Sequence, residues 1–450
     1  MKRFAILALM AAFIMSSAVV SAADLKVSGS WRVVGDITNF EKDGKSIDED
    51  HFRLRSRART TFEFVANEHL KAVTQLEFFK KTWGQNGAQT GDKQTVKART
   101  AYIAFDVPDS AINIQAGFQN FATPSATGWW SPFDENAAGI VVAMPLNDMV
   151  GLNVAWFRTK DESADNGINI HDEADMLYAD VAVKTDAFEV TPWILYERSG
   201  KNADNANTFF LAASGSVNML DPLTLAGDLY FGSSKPIKGD DNKSSAFGMV
   251  VSASYAMDMF TPEAYVGYFT GAKNDNLGMP ALAGDIYKTT FFFDGSSLGA
   301  GNVATKLIKN ATGVAKAKKP SIDPIDPGLL DGPSEPIDKD KPIEKGKKEK
   351  DPWTDNGLEL ATQSVFLGIG LKDISLVDRI KHSVNLVYLK GTSDKVGFDK
   401  DCSAFSVDFN TKYQVYEQLA AIAEIGYAKV DTDGADSSAF GLSFGIKYDF

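Results

Sequence analysis

Four arginines occupy alternate positions in the run Phe52-Arg53-Leu54-Arg55-Ser56-Arg57-Ala58-Arg59. In an extended strand, residues two apart share a face. Arg53, Arg55, Arg57 and Arg59 therefore form one charged row, and Leu54, Ser56, Ala58, Thr60, Phe62 and Phe64 form the opposite, mostly apolar one. Guanidinium groups keep their charge at any relevant pH, so the row is a permanent positive field. Such a row does no bond chemistry of its own. It orients polar solutes and sets ion preference when it lines a narrow aqueous passage. Lys97 and Arg99, on a later strand, extend the patch. Asp134 and Glu135 follow Trp129-Trp130 in a connection at 119–138, and they would complete a transverse field if that connection folds inward. The plainer alternative is a solvated basic face with ion pairs to acids such as Glu63 or Glu77.

Other chemistry is sparse. No P-loop or HExxH motif occurs, and the GxSxG strings Gly295-Ser296-Ser297-Leu298-Gly299 and Gly441-Leu442-Ser443-Phe444-Gly445 do not by themselves make a nucleophile elbow, so no enzyme activity is expected. Cys402 is the one cysteine, which excludes an internal disulfide and a CxxC site. His51, His69, His171 and His382 are scattered without ligand spacing. Asp431-Thr432-Asp433-Gly434-Ala435-Asp436 and Gly239-Asp240-Asp241-Asn242 read as polar turns, since neither carries the full ligand set of a calcium loop. No metal or other cofactor is expected. A formal net charge of −13 argues against nucleic acid as a partner.

The arginine row needs elements that separate oil from water. From Phe440 to Phe450, Phe440, Leu442, Phe444, Ile446, Tyr448 and Phe450 alternate with Gly441, Ser443, Gly445, Lys447 and Asp449. Phe405, Val407, Phe409, Tyr413 and Val415 alternate likewise with Ser406, Asp408, Asn410, Lys412 and Gln414. Runs of about ten alternating residues, separated by turns, continue along the chain, and the spacing predicts about 18 strands, with 16 as the alternative. The expected fold is an all-β, transmembrane antiparallel barrel. Charge on its lipid face would cost roughly 2–4 kcal/mol per residue near the midplane, so the arginines must face the lumen.

Connection lengths support that architecture. Short turns at Asn67-Glu68, Pro108-Asp109-Ser110, Asn147-Asp148, Thr185-Asp186-Ala187, Asp221-Pro222 and Tyr416-Glu417 alternate with long polar connections at 83–95, 119–138, 160–174, 200–207, 234–243, 272–363 and 393–402. Barrels keep short turns in the periplasm and long loops outside. Trp31, Trp83, Trp156, Tyr178, Trp193, Tyr196, Tyr230, Tyr265, Tyr268 and Tyr388 suit the interfacial girdles of such a barrel, with core packing as the alternative.

Lys2 and Arg3, the apolar Phe4–Met15 and small residues at Val20-Ser21-Ala22 read as an export leader over 1–22, leaving a barrel over 23–450. Loss of Lys2 and Arg3 takes the net charge from −13 to −15. The mean hydropathy of −0.16 is compatible with a barrel, half of whose strand residues face water. The long external connection 272–363 contains a Pro/Lys/Glu-rich insert at 316–352, whose composition predicts disorder. A proline-rich docking peptide is the rival reading.

The chain resembles the outer-membrane homotrimeric porins of the Desulfovibrio type. The resemblance rests on Phe52–Phe78, with Phe64-Val65-Ala66-Asn67-Glu68-His69-Leu70-Lys71, and on Ala138–Val142. It continues through Pro145–Leu152, Val190-Thr191-Pro192-Trp193 and the final strand. It implies a trimeric, water-filled diffusion channel in the outer membrane of a Gram-negative cell, with no catalytic residues. The 316–352 insert is longer and more charged than that family's usual loop. The partners that follow are outer-membrane lipid, two further copies of the chain, small hydrophilic solutes, and a barrel-assembly machinery reading the strand that ends in Phe450. A substrate-specific channel for sugars or anions, a plugged structural or adhesive barrel, and a soluble secreted β-protein are the competing readings.

Overall fold

The computed structural model describes residues 24–46, 52–84, 96–160, 173–198, 206–236, 243–274, 276–280, 282, 285–286, 298, 307, 362–394, 398–432 and 435–450. The expected leader and the 316–352 insert lie outside the described residues. Eighteen strands form the wall. They are β1 (Asp24–Lys42), β2 (Arg53–Asn67), β3 (Leu70–Thr82), β4 (Val96–Asp106), β5 (Asn113–Ala122), β6 (Asp134–Pro145), β7 (Val150–Lys160), β8 (Ala174–Lys184) and β9 (Phe188–Arg198). The second half comprises β10 (Ala206–Leu220), β11 (Leu223–Pro236), β12 (Ser244–Tyr255), β13 (Thr261–Phe269), β14 (Ser364–Val377), β15 (Ile380–Gly391), β16 (Ser403–Tyr416), β17 (Leu419–Thr432) and β18 (Ala435–Asp449). Each pairs antiparallel with its chain neighbours. The count of 18 matches the sequence expectation, and 16 is set aside.

The sheet closes on itself. β1 and β18 pair antiparallel from Ser30↔Asp449 to Lys42↔Ser437. Phe450 is tied in as well: Gly29 N–H donates to its carbonyl at 2.8 Å, and its own N–H donates to the Gly29 carbonyl at 3.1 Å. Closure leaves no strand edge, which is what allows a sheet to sit in hydrocarbon. No helix among the described residues is long and apolar enough to cross a membrane; the strands are the crossing elements.

Parity sorts the two faces. Leu177, Ile194, Leu211, Leu229, Phe247, Val266, Leu367, Phe440, Phe444 and Ile446 lie exposed on the outer face. The inner face of β8–β14 carries Met176, Tyr178, Trp193, Leu195, Phe210, Tyr230, Tyr265, Phe269 and Phe366, all buried in one cluster. The hydrophobic core therefore sits inside the cylinder. Its large rings lie against small residues of the next strand. A Cβ at Gly267 would come within 2.1 Å of Phe366 Cζ, and one at Gly368 within 2.1 Å of Tyr265 Cζ. Glycine there is a space requirement.

The aromatic expectation divides on this point. Trp31, Trp83, Trp156, Tyr196, Tyr268 and Tyr388 are exposed on the outer face, whereas Tyr178, Trp193, Tyr230 and Tyr265 are buried inside. Those four share a face with Asp180, Leu195, Asp228 and Glu263 by strand parity. Inward-facing glycines and an incoming loop give their rings partners that lipid would otherwise supply.

Candidate functional site: the basic wall and the inward loop

The site is the interior, and register builds it. Along β1–β2 the direct pairs are Asp36↔Arg53, Val34↔Arg55, Arg32↔Arg57 and Ser30↔Arg59. Directly opposed residues share a face, so Arg53, Arg55, Arg57 and Arg59 are on the inner face with Asp36, opposite Phe62 and Phe64. Lys447 pairs with Arg32 across the closing seam. Lys447, Arg32 and Arg57 thus form a transverse row of cations across three strands. Lys97 pairs with Glu77, and Glu77 with Arg59, so Lys97 joins the same face.

Acids hold part of the row in place. Asp36, 1% exposed, accepts from Arg53 Nε at 3.0 Å and from Arg55 Nε at 2.8 Å. Arg59 Nε donates to Glu77 Oε2 at 2.7 Å. Lys71 reaches Glu63 at 3.3 Å. The sequence alternative of ion pairing to Glu63 or Glu77 is therefore present, but it uses Arg59 and Lys71. Arg53 and Arg55 both donate to Asp36, and the Arg57 Nε is buried without a hydrogen-bond partner among the described residues. The side chains of Arg53 and Arg55 keep 41% and 30% of their surface accessible. This wall is ordered and positive, and it remains wet.

Arg99 sits where the β3–β4 register shifts between Gln75 and Leu76. It feels the charges of Arg59, Glu77, Glu135 and Asp134, and in its hydrogen-bonding orientation the Asn136 side-chain oxygen accepts from Arg99 Nη2 at 2.7 Å. Asp134 and Glu135 open β6 rather than riding on an inward loop. Asp134 accepts from Asn120 at 3.2 Å. Both are wall residues near Arg99, but adjacent strand positions face opposite ways: Glu135 shares the inner face with Phe121, and Asp134 the other face with Ala122 and Asn120. Their place on a strand follows from the register Phe121↔Glu135 and Ala122↔Asp134.

What does fold inward is the apolar part of the connection, 123–133. Trp129 stacks on Phe366 with ring centroids 3.7 Å apart and planes 18° apart. Trp130 packs edge-on to Tyr230 at 5.0 Å and to Phe269 at 5.6 Å. Both indoles are at most 1% exposed. Tyr230 Oη donates to the Trp130 carbonyl at 2.8 Å, and Ser214 Oγ to the Pro124 carbonyl at 3.0 Å. Trp130-Ser131 also pairs antiparallel with Asp285-Ile286. The connection 272–363, expected outside, contributes inside as well: Leu298 is buried with Val34, Ala420 and Ile422, and Leu307 lies in the aromatic cluster.

Sequence reasoning passed over Asp36, Arg32 and Asp228. Asp36 and Arg32 were within reach, because a β1–β2 hairpin register places them against the arginine row. Asp228 carried a weaker signal, its inward parity between Ala226 and Tyr230.

A closed 18-strand antiparallel barrel, apolar outside and charged within, has the architecture of a bacterial transmembrane barrel. The same fold is found in three solved structures from Pseudomonas aeruginosa. OpdQ aligns at 10% identity over 95% of this chain and 98% of that one, with a TM-score of 0.54. The outer membrane protein OprD aligns at 12% identity over 96% of each chain, with a TM-score of 0.51. OpdO aligns at 10% identity over 94% of this chain and 98% of that one, also at 0.51. At such identities the likeness is one of fold. No protein-family model and no curated protein sequence matches the chain.

Proposed function

We propose that this protein is an outer-membrane porin of a Gram-negative cell: a water-filled channel through which small hydrophilic solutes and ions diffuse down their gradients. The observation that carries the reading is the pairing of a lipid-compatible exterior with a charged, solvent-accessible inner wall at Arg53 and Arg55. Arg32, Arg57 and Lys447 lie side by side across three strands, with Lys447 paired to Asp449 at 3.0 Å. Arg53, Arg55, Arg57 and Arg59, extended by Lys97 and Arg99, form the positive side of the passage in this reading, with Asp134 and Glu135 the acids at its margin. The chain performs no catalysis.

The inward loop favours a second reading, a channel with solute preference. Trp129 and Trp130 pack on the β8–β14 side of the lumen, and in this reading they narrow the passage towards the basic side. Solute block of single-channel current at low concentration would separate this reading from general diffusion. The resemblance to Desulfovibrio-type porins adds a homotrimer, export with removal of 1–22, and assembly through the strand ending in Phe450. Crosslinking and mass measurement of the detergent-extracted protein test the trimer. Reconstitution of the folded chain into planar bilayers tests the channel itself: stepwise conductance supports it, and a silent membrane sinks it.

A further inference from the structure

One carboxylate holds the tip of the inward loop to the far wall. Asp228, on β11, is fully buried. Its oxygens accept from Ser125 Oγ at 2.9 Å, Ala126 N–H at 2.7 Å and Thr127 N–H at 3.0 Å, and also from Thr127 Oγ1. The turn that presents these donors is braced internally: Gly128 N–H donates to Ser125 Oγ at 3.1 Å, and Trp129 N–H to Thr127 Oγ1 at 3.3 Å. Gly128 takes φ +63°, the left-handed region glycine adopts without strain. Four donors converging on one carboxylate compensate its removal from water, and charge-assisted bonds of this type are the strong ones. No neutral side chain of similar size accepts from all four, because an amide nitrogen would face a donor.

We propose that Asp228 is the positioning residue of the passage: it latches the 123–133 crossing across the lumen and so sets the open cross-section beside the arginine row. This rests on the channel reading above. Tyr230 and Ser214 anchor the loop at the Trp130 and Pro124 carbonyls, and the carboxylate fixes the tip between those two points. Without it the loop keeps its flanking anchors and apolar contacts, but the tip over Ser125–Gly128 loses its fixed position. Asp228 touches no solute in this scheme; it acts through the loop.

The test uses the full-length folded protein, checked by its heat-modifiable gel mobility, and compares wild type with Asp228→Asn and Asp228→Ala. Unitary conductance is expected to rise about twofold with noisier open levels, and amide hydrogen exchange in the peptide spanning Ser125–Gly128 to accelerate by about tenfold or more. A variant that merely folds poorly would lower the number of channels without changing the size of each. Should the Asp228 variants not fold, Ser125→Ala with Thr127→Val removes two donors from the loop side and leaves the wall intact, and the same two shifts are expected. Folded variants with wild-type conductance, or with unchanged exchange at these amides, overturn the proposal. If wild type itself conducts nothing, the channel reading fails, while the exchange contrast still decides the latch.

Discussion

On the β1–β4 side the inner wall carries Arg32, Arg53, Arg55, Arg57, Arg59 and Lys97, joined at the seam by Lys447, with Asp36 and Glu77 buried beneath them. On the β8–β14 side it carries Tyr178, Trp193, Phe210, Tyr230, Phe269 and Phe366, sealed under Trp129 and Trp130. Both surfaces belong to one sheet with the same alternation of faces. They differ in what packs on them: Trp129 and Trp130 of the inward connection lie on the second, whereas Arg53 and Arg55 of the first keep 41% and 30% of their side-chain surface accessible. The lesson is that one alternating sheet can carry an apolar core on one part of its inner face and an accessible charged row on another.

The filled side is the easier to break. Trp129→Ala removes a stacked, fully buried indole, and comparable truncations cost about 3–5 kcal/mol. A lowered midpoint of urea unfolding and a larger unitary conductance are expected together. Conductance unchanged at lowered stability would mean that the loop does not bound the passage. Gly368→Val forces a branched side chain into the seat of Tyr265, an overpacking that costs about 1–3 kcal/mol. It should lower barrel stability without altering ion preference.

The wet side is expected to answer in selectivity. Arg55→Ala with Arg57→Ala removes half of the row and should shift the reversal potential in a salt gradient towards cations, with the anion-to-cation permeability ratio falling about twofold or more. Asp36→Ala sharpens the contrast in the opposite direction. It frees Arg53 and Arg55 from their shared partner and should raise anion preference, at some loss of order in the two guanidinium groups.

The smallest effect lies at the turn joining β2 to β3. The hydrogen bond to Asp106 raises the His69 pKa above its ordinary value, against slight desolvation and with help from the charges of Glu68 and Asp106. Protonation is therefore favoured in the folded barrel. The small stabilisation is complete below the unfolded value of about 6.5 and is lost as pH rises through the folded one. An NMR titration of His69 should show the raised midpoint, and Asp106→Asn should lower it; a midpoint at the ordinary value would remove the pairing.

Much of the wall was legible in the sequence, because strand alternation is local. The strand over Phe405–Val415 and the closing strand from Phe440 could be assigned to faces residue by residue, and the spacing of alternating runs gave about 18 strands, with 16 left as the alternative. The inward aspect of Arg53 to Arg59 followed from the cost of charge in lipid. What escaped was non-local. Asp228 meets Ala126 across 102 positions of sequence, and nothing near either residue marks the other. Tyr178, Trp193, Tyr230 and Tyr265 read as girdle aromatics because an inward ring and an interfacial ring look alike until a loop arrives to cover one of them. Asp134 and Glu135 were placed on the inward loop because β6 was read as starting at 139; the strand begins at Asp134, and the segment that turns inward is the tryptophan pair before it.

Single-channel recording of the purified wild-type protein in a planar bilayer, with the reversal potential measured across a tenfold salt gradient, tests the central claim most directly. The account predicts stable, stepwise conductance and a reversal potential on the anion-preferring side. A membrane that stays silent with correctly folded protein, or a clearly cation-preferring potential, would contradict it.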